Sequence, residues 1–200
     1  GSTKRLARLY MVDGHGFFNP DLAPVTEFEP GRWFETRLRV TAGRIQAWVD
    51  GKRALNLSTH GRVLSSLSHW ANEVRPFGII TNLATRGAVR SVRLRRLGPE
   101  PGPPPKLPEK PGEWATLFDG KTLAGWRVME EDDFAQHGKV RVDEDRIVLE
   151  RGNKRTGIAW AGEFPKVDYE IALEARREAG EDCFCDVYFP IGSSLCSLAV

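Results

Sequence analysis

Apolar and polar residues alternate with a period of two along most of this chain. Between residues 34 and 40, Phe, Thr, Leu and Val take every second position, and charged residues stand between them. Successive side chains of a β-strand point to opposite faces, so this period predicts a half-buried strand and not a helix. After the next alternating run comes Asp50-Gly51. Because a type I′ turn needs a positive φ at both central residues, this pair predicts a tight β-hairpin.

Further alternating or apolar runs occur along the rest of the chain, with turn residues about every eight to twelve positions. They predict strands over residues 52–57, 77–83, 88–97, 147–150, 158–160, 169–175, 183–189 and 195–200. Helix is expected only as short turns within 62–70 and 131–137. This spacing is typical of sandwiches and jelly rolls, so we predict an all-β fold.

A proline-rich segment, residues 98–112, divides the chain. Its seven prolines predict an extended polyproline II segment, which at about 3.1 Å per residue reaches roughly 45 Å, the length of a sandwich. Residues 1–97 read like the second half of a β-sandwich, and residues 113–200 read like the first half. We therefore expect a circular permutant, or two complementary half-domains. The same linker would also suit a tandem protein or an exchange of halves between neighbouring chains.

The composition of the chain limits the classes of partner that we expect. The chain has 200 residues, of which 40% are hydrophobic, and this is enough for one substantial core. The formal net charge is only +2, so no overall field attracts nucleic acid or an anionic membrane. No run of 18 apolar residues is present, and the N-terminal residues lack the pattern of a signal peptide. We expect neither nucleic acid nor a membrane as a partner.

Three cysteines, Cys183, Cys185 and Cys196, lie close together in the sequence. A pair across a hairpin is geometrically conceivable, but cysteine is among the most buried residue types, which favours three thiols in the core. A zinc site would need a fourth ligand, and no histidine stands at zinc-ligand spacing from them. We predict no metal site at these cysteines.

Two short acidic segments, 13–16 and 143–145, are interpreted as turns. Either would bind Ca²⁺ only if oxygens from elsewhere raised the ligand number to six or more. We therefore predict no cofactor, with Ca²⁺ as the single alternative. Four arginines over residues 90–96 favour an exposed, charged sheet edge that discourages aggregation, in preference to a phosphate site.

The segment from Trp114 to Trp126, W-A-T-L-F-D-G-K-T-L-A-G-W, resembles the opening signature of the 3-keto-disaccharide hydrolases, a family of concanavalin A-like jelly-roll sandwiches. Residues 168–171 resemble the family's first long strand. Residues 31–34, 44–51 and 88–94 resemble its closing strands. The resemblance covers nearly all of both halves in swapped order, and it implies a jelly-roll sandwich with permuted halves.

The resemblance also implies a chemistry. A ketone at C3 of a sugar acidifies the C2 proton, so a general base and a group that stabilises the enolate can break the bond at C1. The family's active face is expected on the concave sheet. Where members carry Asn-Ser-Gly, this chain has Glu181-Asp182-Cys183, and where they carry Gln and His it has residues 79–83. Because Asp182 and Asp186 fall where the family has its polar strand, they are the predicted acid/base pair, with Arg75 as the third catalytic candidate.

Aromatic and charged residues predict a sugar-binding surface. Sugar rings stack on aromatic side chains through their C–H faces, and arginine holds hydroxyl or keto oxygens. The predicted substrate-binding residues are His69, Trp70, Tyr188 and Glu170. Glu170 is also a candidate to pair with Asp186 across neighbouring strands.

The remaining tryptophans are assigned mainly to packing. Trp33, Trp48, Trp114 and Trp126 are expected in the core, as are most tryptophans of a sandwich.

Three functions from different classes follow. The first is an enzyme that cleaves or eliminates 3-keto-glycosides, and the second is a carbohydrate-binding module without catalysis. The third is a structural module that self-associates by exchanging half-domains. The expected partner is a carbohydrate, and the family resemblance implies an extracytoplasmic location, secreted or periplasmic.

Overall fold

The computed structural model describes residues 8–10, 12–16, 28–65, 71–98 and 112–200. Almost all regular structure in these residues is β-strand. The strands are β1 (Arg8–Tyr10), β2 (Trp33–Thr41), β3 (Arg44–Val49), β4 (Lys52–Ser58), β5 (Gly78–Thr81), β6 (Arg86–Arg96), β7 (Ala115–Thr116), β8 (Trp126–Val128), β9 (Val140–Asp143), β10 (Arg146–Leu149), β11 (Thr156–Trp160), β12 (Tyr169–Ala179), β13 (Asp186–Ile191) and β14 (Ser194–Ala199). A helical turn, α1 (Ala71–Val74), and a 3-10 turn (Asp132–Phe134) complete the described elements.

The strands form two antiparallel sheets. The six-stranded sheet has the order β1-β14-β13-β5-β11-β8. The eight-stranded sheet has the order β4-β3-β2-β12-β6-β10-β9, and β7 pairs with the C-terminal part of β6. One large hydrophobic cluster contains residues from the inner faces of both sheets. The prediction of an all-β sandwich is therefore confirmed.

Each sheet contains strands from both sides of the proline-rich segment. In the eight-stranded sheet, β12 lies between β2 and β6, so a strand from 113–200 is flanked by two strands from 1–97. In the six-stranded sheet the arrangement is reversed, because β5, from 1–97, lies between β13 and β11, both from 113–200. Neither part of the chain completes either of these sheets by itself.

The predicted hairpin at Asp50-Gly51 is present. Asp50 has φ 48° and Gly51 has φ 73°, as a type I′ turn requires.

The strand predicted over residues 183–189 begins later than expected, because β13 begins only at Asp186. The residues before β13 are bonded locally instead, since the Asp182 carboxylate accepts the backbone N–H of Cys183 at 2.8 Å and the Asp182 N–H donates to the Thr85 hydroxyl at 3.0 Å.

The structure corrects two predictions about the outer surface. β6 is not a sheet edge, because it lies between β12 and β10. Of the four tryptophans assigned to packing, only Trp126 is buried in the core. The other three, Trp33, Trp48 and Trp114, are half-buried. Each stacks with arginines on the outer face of the eight-stranded sheet, so strand alternation there places a large aromatic ring on the polar side.

The three cysteines are free thiols, as the sequence favoured. Cys185 and Cys196 are buried in the core, and Cys183 is half-buried. Cys196 lies opposite Phe189, away from the other two. Within the described residues, no helix has the length and apolar character needed to cross a membrane.

Candidate functional site

The outer face of the six-stranded sheet carries the polar site. Along β13, Val187 and Phe189 point into the core, so alternation turns Asp186 and Tyr188 to the outer face. The register continues this face across the sheet, because Tyr188 lies opposite Ser197 and Ser197 opposite Tyr10. Four strands of the sheet, β1, β14, β13 and β5, therefore contribute to this face, and its polar residues Asp186, Tyr188 and Ser197 are buried.

Asp186 is the central group of this surface. Its side chain is almost completely buried, with 8% of the residue exposed. The amide Nδ2 of Asn82 donates a short hydrogen bond to Oδ2 of Asp186. Oδ1 is buried and has no hydrogen-bond partner within the described part of the chain. A buried carboxyl oxygen without a partner is unusual, and here it lies on the polar outer face of a sheet.

A chain of polar contacts continues away from Asp186. Oδ1 of Asn82 accepts a hydrogen bond of 2.8 Å from Nε of Arg155. The guanidinium of Arg155 also forms a short ion pair with Asp133, and Lys154 approaches the same carboxylate at 2.9 Å. The orientation of Asn82 is therefore fixed from both ends, with its N–H group directed at Asp186.

This environment changes the proton affinity of Asp186. Burial is the main cause, and it raises the pKa of Asp186 to about 7. The nearby charge of Asp182 raises the pKa further, whereas the hydrogen bond from Asn82, the charge of Arg155 and a hydrogen bond from the Cys183 side chain oppose the rise. A carboxyl group with a pKa near neutrality can both accept and return a proton, as a general acid/base must.

Apolar residues cover the neighbouring part of the same face. Met129 lies over two glycines, because a Cβ atom added at Gly78 would stand 2.8 Å from its Cε and one at Gly157 would stand 2.9 Å from its Sδ. A small cluster surrounds Met129: Val74, Ile80, Phe134, Ala159, Tyr188 and Leu195. Tyr188 therefore packs at the border between the apolar cluster and the polar site.

The structure brings together the two predicted aspartates. Asp182 is half-buried and lies close enough for its charge to raise the pKa of Asp186. Tyr188 shares the outer face with them. His69 and Trp70 lie outside the described residues.

Glu170 lies elsewhere. It belongs to β12 of the eight-stranded sheet and pairs there with Arg39 and Arg95. The predicted partnership of Glu170 with Asp186 is therefore wrong, because the two residues belong to different sheets. Sequence spacing alone does not determine which strands become neighbours.

Arg75 lies at the far end of β13 from Asp186. Asp186 is opposite Ile80 of β5, so Arg75 is five residues away along the strand direction, roughly 16 Å from the Asp186 position. There it lines a cleft of about 270 Å³. The cleft is formed by Arg75, Pro76, Phe164, Lys166, Pro190, Gly192 and Ser193. Arg75 therefore lines this cleft and does not belong to the surroundings of Asp186.

Sequence reasoning missed three residues of the site: Asn82, Arg155 and Asp133. Asn82 had a signal, because it falls in the stretch that replaces the Gln and His of the resembled family. Arg155 and Asp133 had none, because they lie in two loops whose meeting depends on the fold.

The described residues contain no group of three or more histidine, cysteine or acidic side chains placed to hold a metal ion. The two acidic turns considered for Ca²⁺ are engaged with arginines. Asp13 accepts a hydrogen bond of 2.8 Å from Arg62, and this bond is the main reason that the pKa of Asp13 lies below its usual value. Asp143 pairs with Arg141 at 2.9 Å.

Comparison of the chain with known proteins adds no relative. No family model, curated protein or solved structure matches it.

Proposed function

We propose that the outer face of the six-stranded sheet is an acid/base active site for a carbohydrate substrate, with Asp186 as the proton acceptor and donor. The observation that carries the proposal is the setting of Asp186: a buried carboxyl with one oxygen bound to Asn82, the other without a hydrogen-bond partner among the described residues, and a pKa near 7. Such perturbed groups concentrate at functional sites.

The proposed reaction is the elimination of a 3-keto-glycoside. The Asp186 carboxylate takes the C2 proton, and the electron pair of the C2–H bond forms an enolate whose charge lies on the C3 oxygen. The enolate re-forms the ketone, a C1–C2 double bond is made and the C1–O bond breaks. The leaving alcohol takes a proton back from Asp186, and later addition of water to C1 gives net hydrolysis.

The neighbours of Asp186 suit these reaction steps. Arg155 is the cation whose charge acts on Asp186, and the same charge would favour the developing enolate. Asp182 opposes ionisation of Asp186 and so keeps its proton affinity high. Asn82 holds the carboxyl in one orientation, which lowers the cost of positioning it for proton transfer.

The substrate class and the finer fold assignment rest on the family resemblance. We propose that the sandwich is a concanavalin A-like jelly roll whose halves stand in permuted order, with 1–97 as the second half, 98–112 as the linker and 113–200 as the first half. Support comes from the sheets, each of which contains strands from both parts.

The test is release of nitrophenol from a nitrophenyl 3-keto-glucoside. We expect turnover by the wild type, and a loss of about 100-fold or more in Asp186→Asn, because general acid/base groups contribute about 10²–10⁴-fold. The matched control is Asp145→Asn, which makes the same change in an exposed turn. Equal turnover by Asp186→Asn would contradict the role of Asp186.

Two further outcomes decide between the function classes. Binding of the sugar by the wild type without any turnover would replace the enzyme by a carbohydrate-binding module. Neither binding nor turnover would overturn the carbohydrate assignment as a whole.

A further inference from the structure

On the outer face of the eight-stranded sheet, side chains form rows that run across β2, β12 and β6. In the first row, Glu170 stands between Arg39 and Arg95. Its carboxylate is completely buried and accepts hydrogen bonds from both guanidiniums, the one from Nε of Arg95 at 2.6 Å. The charges of this row therefore contact each other, with one carboxylate shared by two arginines.

The second row also has an arginine on each side, but an alanine stands between them in place of the glutamate. Arg37 and Arg93 both lie directly opposite Ala172 in the neighbouring strands. Within the described residues, neither guanidinium has a carboxylate at ion-pair distance, and Nε of Arg93 is buried without a hydrogen-bond partner there. Two cations therefore flank a small side chain, and no anion from the described residues lies between them.

Tryptophans hold these arginines from the outside. The guanidinium carbon of Arg37 lies 4.2 Å from the ring centroid of Trp48, and that of Arg93 lies 5.3 Å from the ring of Trp114, which also stacks with Arg95 at 4.6 Å. Stacking on an aromatic face restricts the guanidinium and leaves its N–H edge available for an anion. Trp48 therefore restricts Arg37 within the row, and Trp114 restricts Arg93 from the adjacent row.

We propose that Arg37 and Arg93 form a binding site for a single oxyanion, a carboxylate or a sulfate ester, carried by an otherwise neutral glycan. The anion lies over Ala172, in the position that the Glu170 carboxylate occupies between Arg39 and Arg95 in the adjacent row. Guanidiniums bind such groups in pairs of parallel hydrogen bonds. The half-buried rings of Trp48 and Trp114 border the site and contact sugar C–H groups on either side.

One neighbouring row disfavours a densely charged polymer. Rows on one face of a strand are about 6.6 Å apart, and the row on one side of Ala172 carries Glu174 and Glu35 with only Arg90 to balance them, whereas Glu170 on the other side is buried and shared by two arginines. A nucleic acid would bring phosphates close to Glu174 and Glu35. A glycan with one anionic substituent among neutral sugars would not. This site lies on the other sheet from Asp186 and does not depend on the proposed catalysis.

Isothermal titration with the whole chain tests the proposal. The probes are a sulfated galactan oligosaccharide with one sulfate per disaccharide, its desulfated form, and a glucuronoxylan oligosaccharide with an isolated uronate. We expect binding of at least one anionic oligosaccharide and at least tenfold weaker binding of the desulfated form. Arg37→Gln/Arg93→Gln should weaken binding at least tenfold, whereas the matched control Lys121→Gln/Arg151→Gln removes two exposed charges elsewhere and should leave binding unchanged.

A second variant separates the site from damage to the fold. Ala172→Glu places a carboxylate between Arg37 and Arg93, as Glu170 stands between Arg39 and Arg95. It should abolish glycan binding while the melting temperature is maintained or raised. It should not alter turnover at Asp186.

Three results would overturn the proposal. They are undiminished binding by Ala172→Glu, binding of free sulfate or acetate as tight as that of the oligosaccharides, and tighter binding of single-stranded DNA than of either glycan. The second would leave a small-anion site, and the third would indicate a nucleic-acid surface.

Discussion

Nδ2 of Asn82 donates a hydrogen bond to the carboxylate of Asp186 across a sequence separation of 104 residues. Asn82 follows β5, from the part of the chain before the proline-rich segment, and Asp186 begins β13, from the part after it. The polar site is therefore assembled only when the two parts of the chain share a sheet. Closure of the sandwich and formation of the site are one event.

The first prediction concerns the pH dependence of stability. The pKa of Asp186 is raised to about 7 in the fold, whereas an unfolded aspartate titrates near 3.9. Between about pH 4 and 7 the folded state holds a proton that the unfolded state has lost. The contribution of this group to the free energy of unfolding is therefore highest below about pH 4. It falls as the pH rises through 7, by on the order of 4 kcal/mol in total.

Asp186→Asn should remove this dependence. Thermal melts at pH 5 and pH 8 are expected to show a larger loss of stability at pH 8 in the wild type than in the variant, which should be the more stable protein at pH 8. Parallel pH profiles for the two proteins would contradict a raised pKa at this position.

The second prediction concerns the buried carboxylate of the other sheet. Glu170→Gln should lower the free energy of unfolding by about 2 kcal/mol, because it leaves Arg39 and Arg95 without their shared anion in a largely desolvated place. Glu174→Gln is the matched control, since Glu174 pairs with Arg90 at 2.8 Å but keeps 30% of its side chain exposed. It should cost less than about 1 kcal/mol. Urea unfolding measures both, and equal losses would contradict the distinction.

The third prediction concerns the thiols. Burial raises the pKa of Cys196 to about 12 and places that of Cys185 well above its usual value, so neither forms a reactive thiolate in the native protein. A maleimide reagent should label no more than one cysteine before unfolding, and peptide mass spectrometry should place the label at Cys183. Rapid native labelling of Cys185 or Cys196 would show that this part of the core is open.

The fourth prediction concerns closure within one chain. Because each sheet joins strands from both parts, a single chain satisfies all the pairings described, and light scattering should give a monomer of 22.4 kDa with one cooperative melt. A stable dimer would instead support exchange of halves between chains, which preserves the same pairings.

The strands were predictable from the sequence because the period of two and the turn residues are local signals. The hairpin at Asp50-Gly51 illustrates this, since its two positive φ values follow from the residue types. Asp182 and Asp186 were chosen differently, from the resemblance to a family's polar strand, and their catalytic role stays a prediction.

The partners of those residues were not predictable, because they depend on which strands become neighbours. Glu170 looked like a candidate partner for Asp186 and lies on the other sheet. Arg155 had no motif around it and reaches the site through Asn82. The tryptophans were misassigned for a different reason, since Trp48 and Trp114 stack on arginines at the outer face, and composition alone does not show which side of a strand an aromatic ring takes.

The most direct test of the account is the titration of the Asp186 side chain, followed by NMR through the chemical shift of its carboxyl carbon and assigned by comparison with Asp186→Asn. The account predicts a midpoint near pH 7. A midpoint near or below pH 4, the ordinary range of an aspartate, would contradict it and remove the basis for an acid/base site on this sheet.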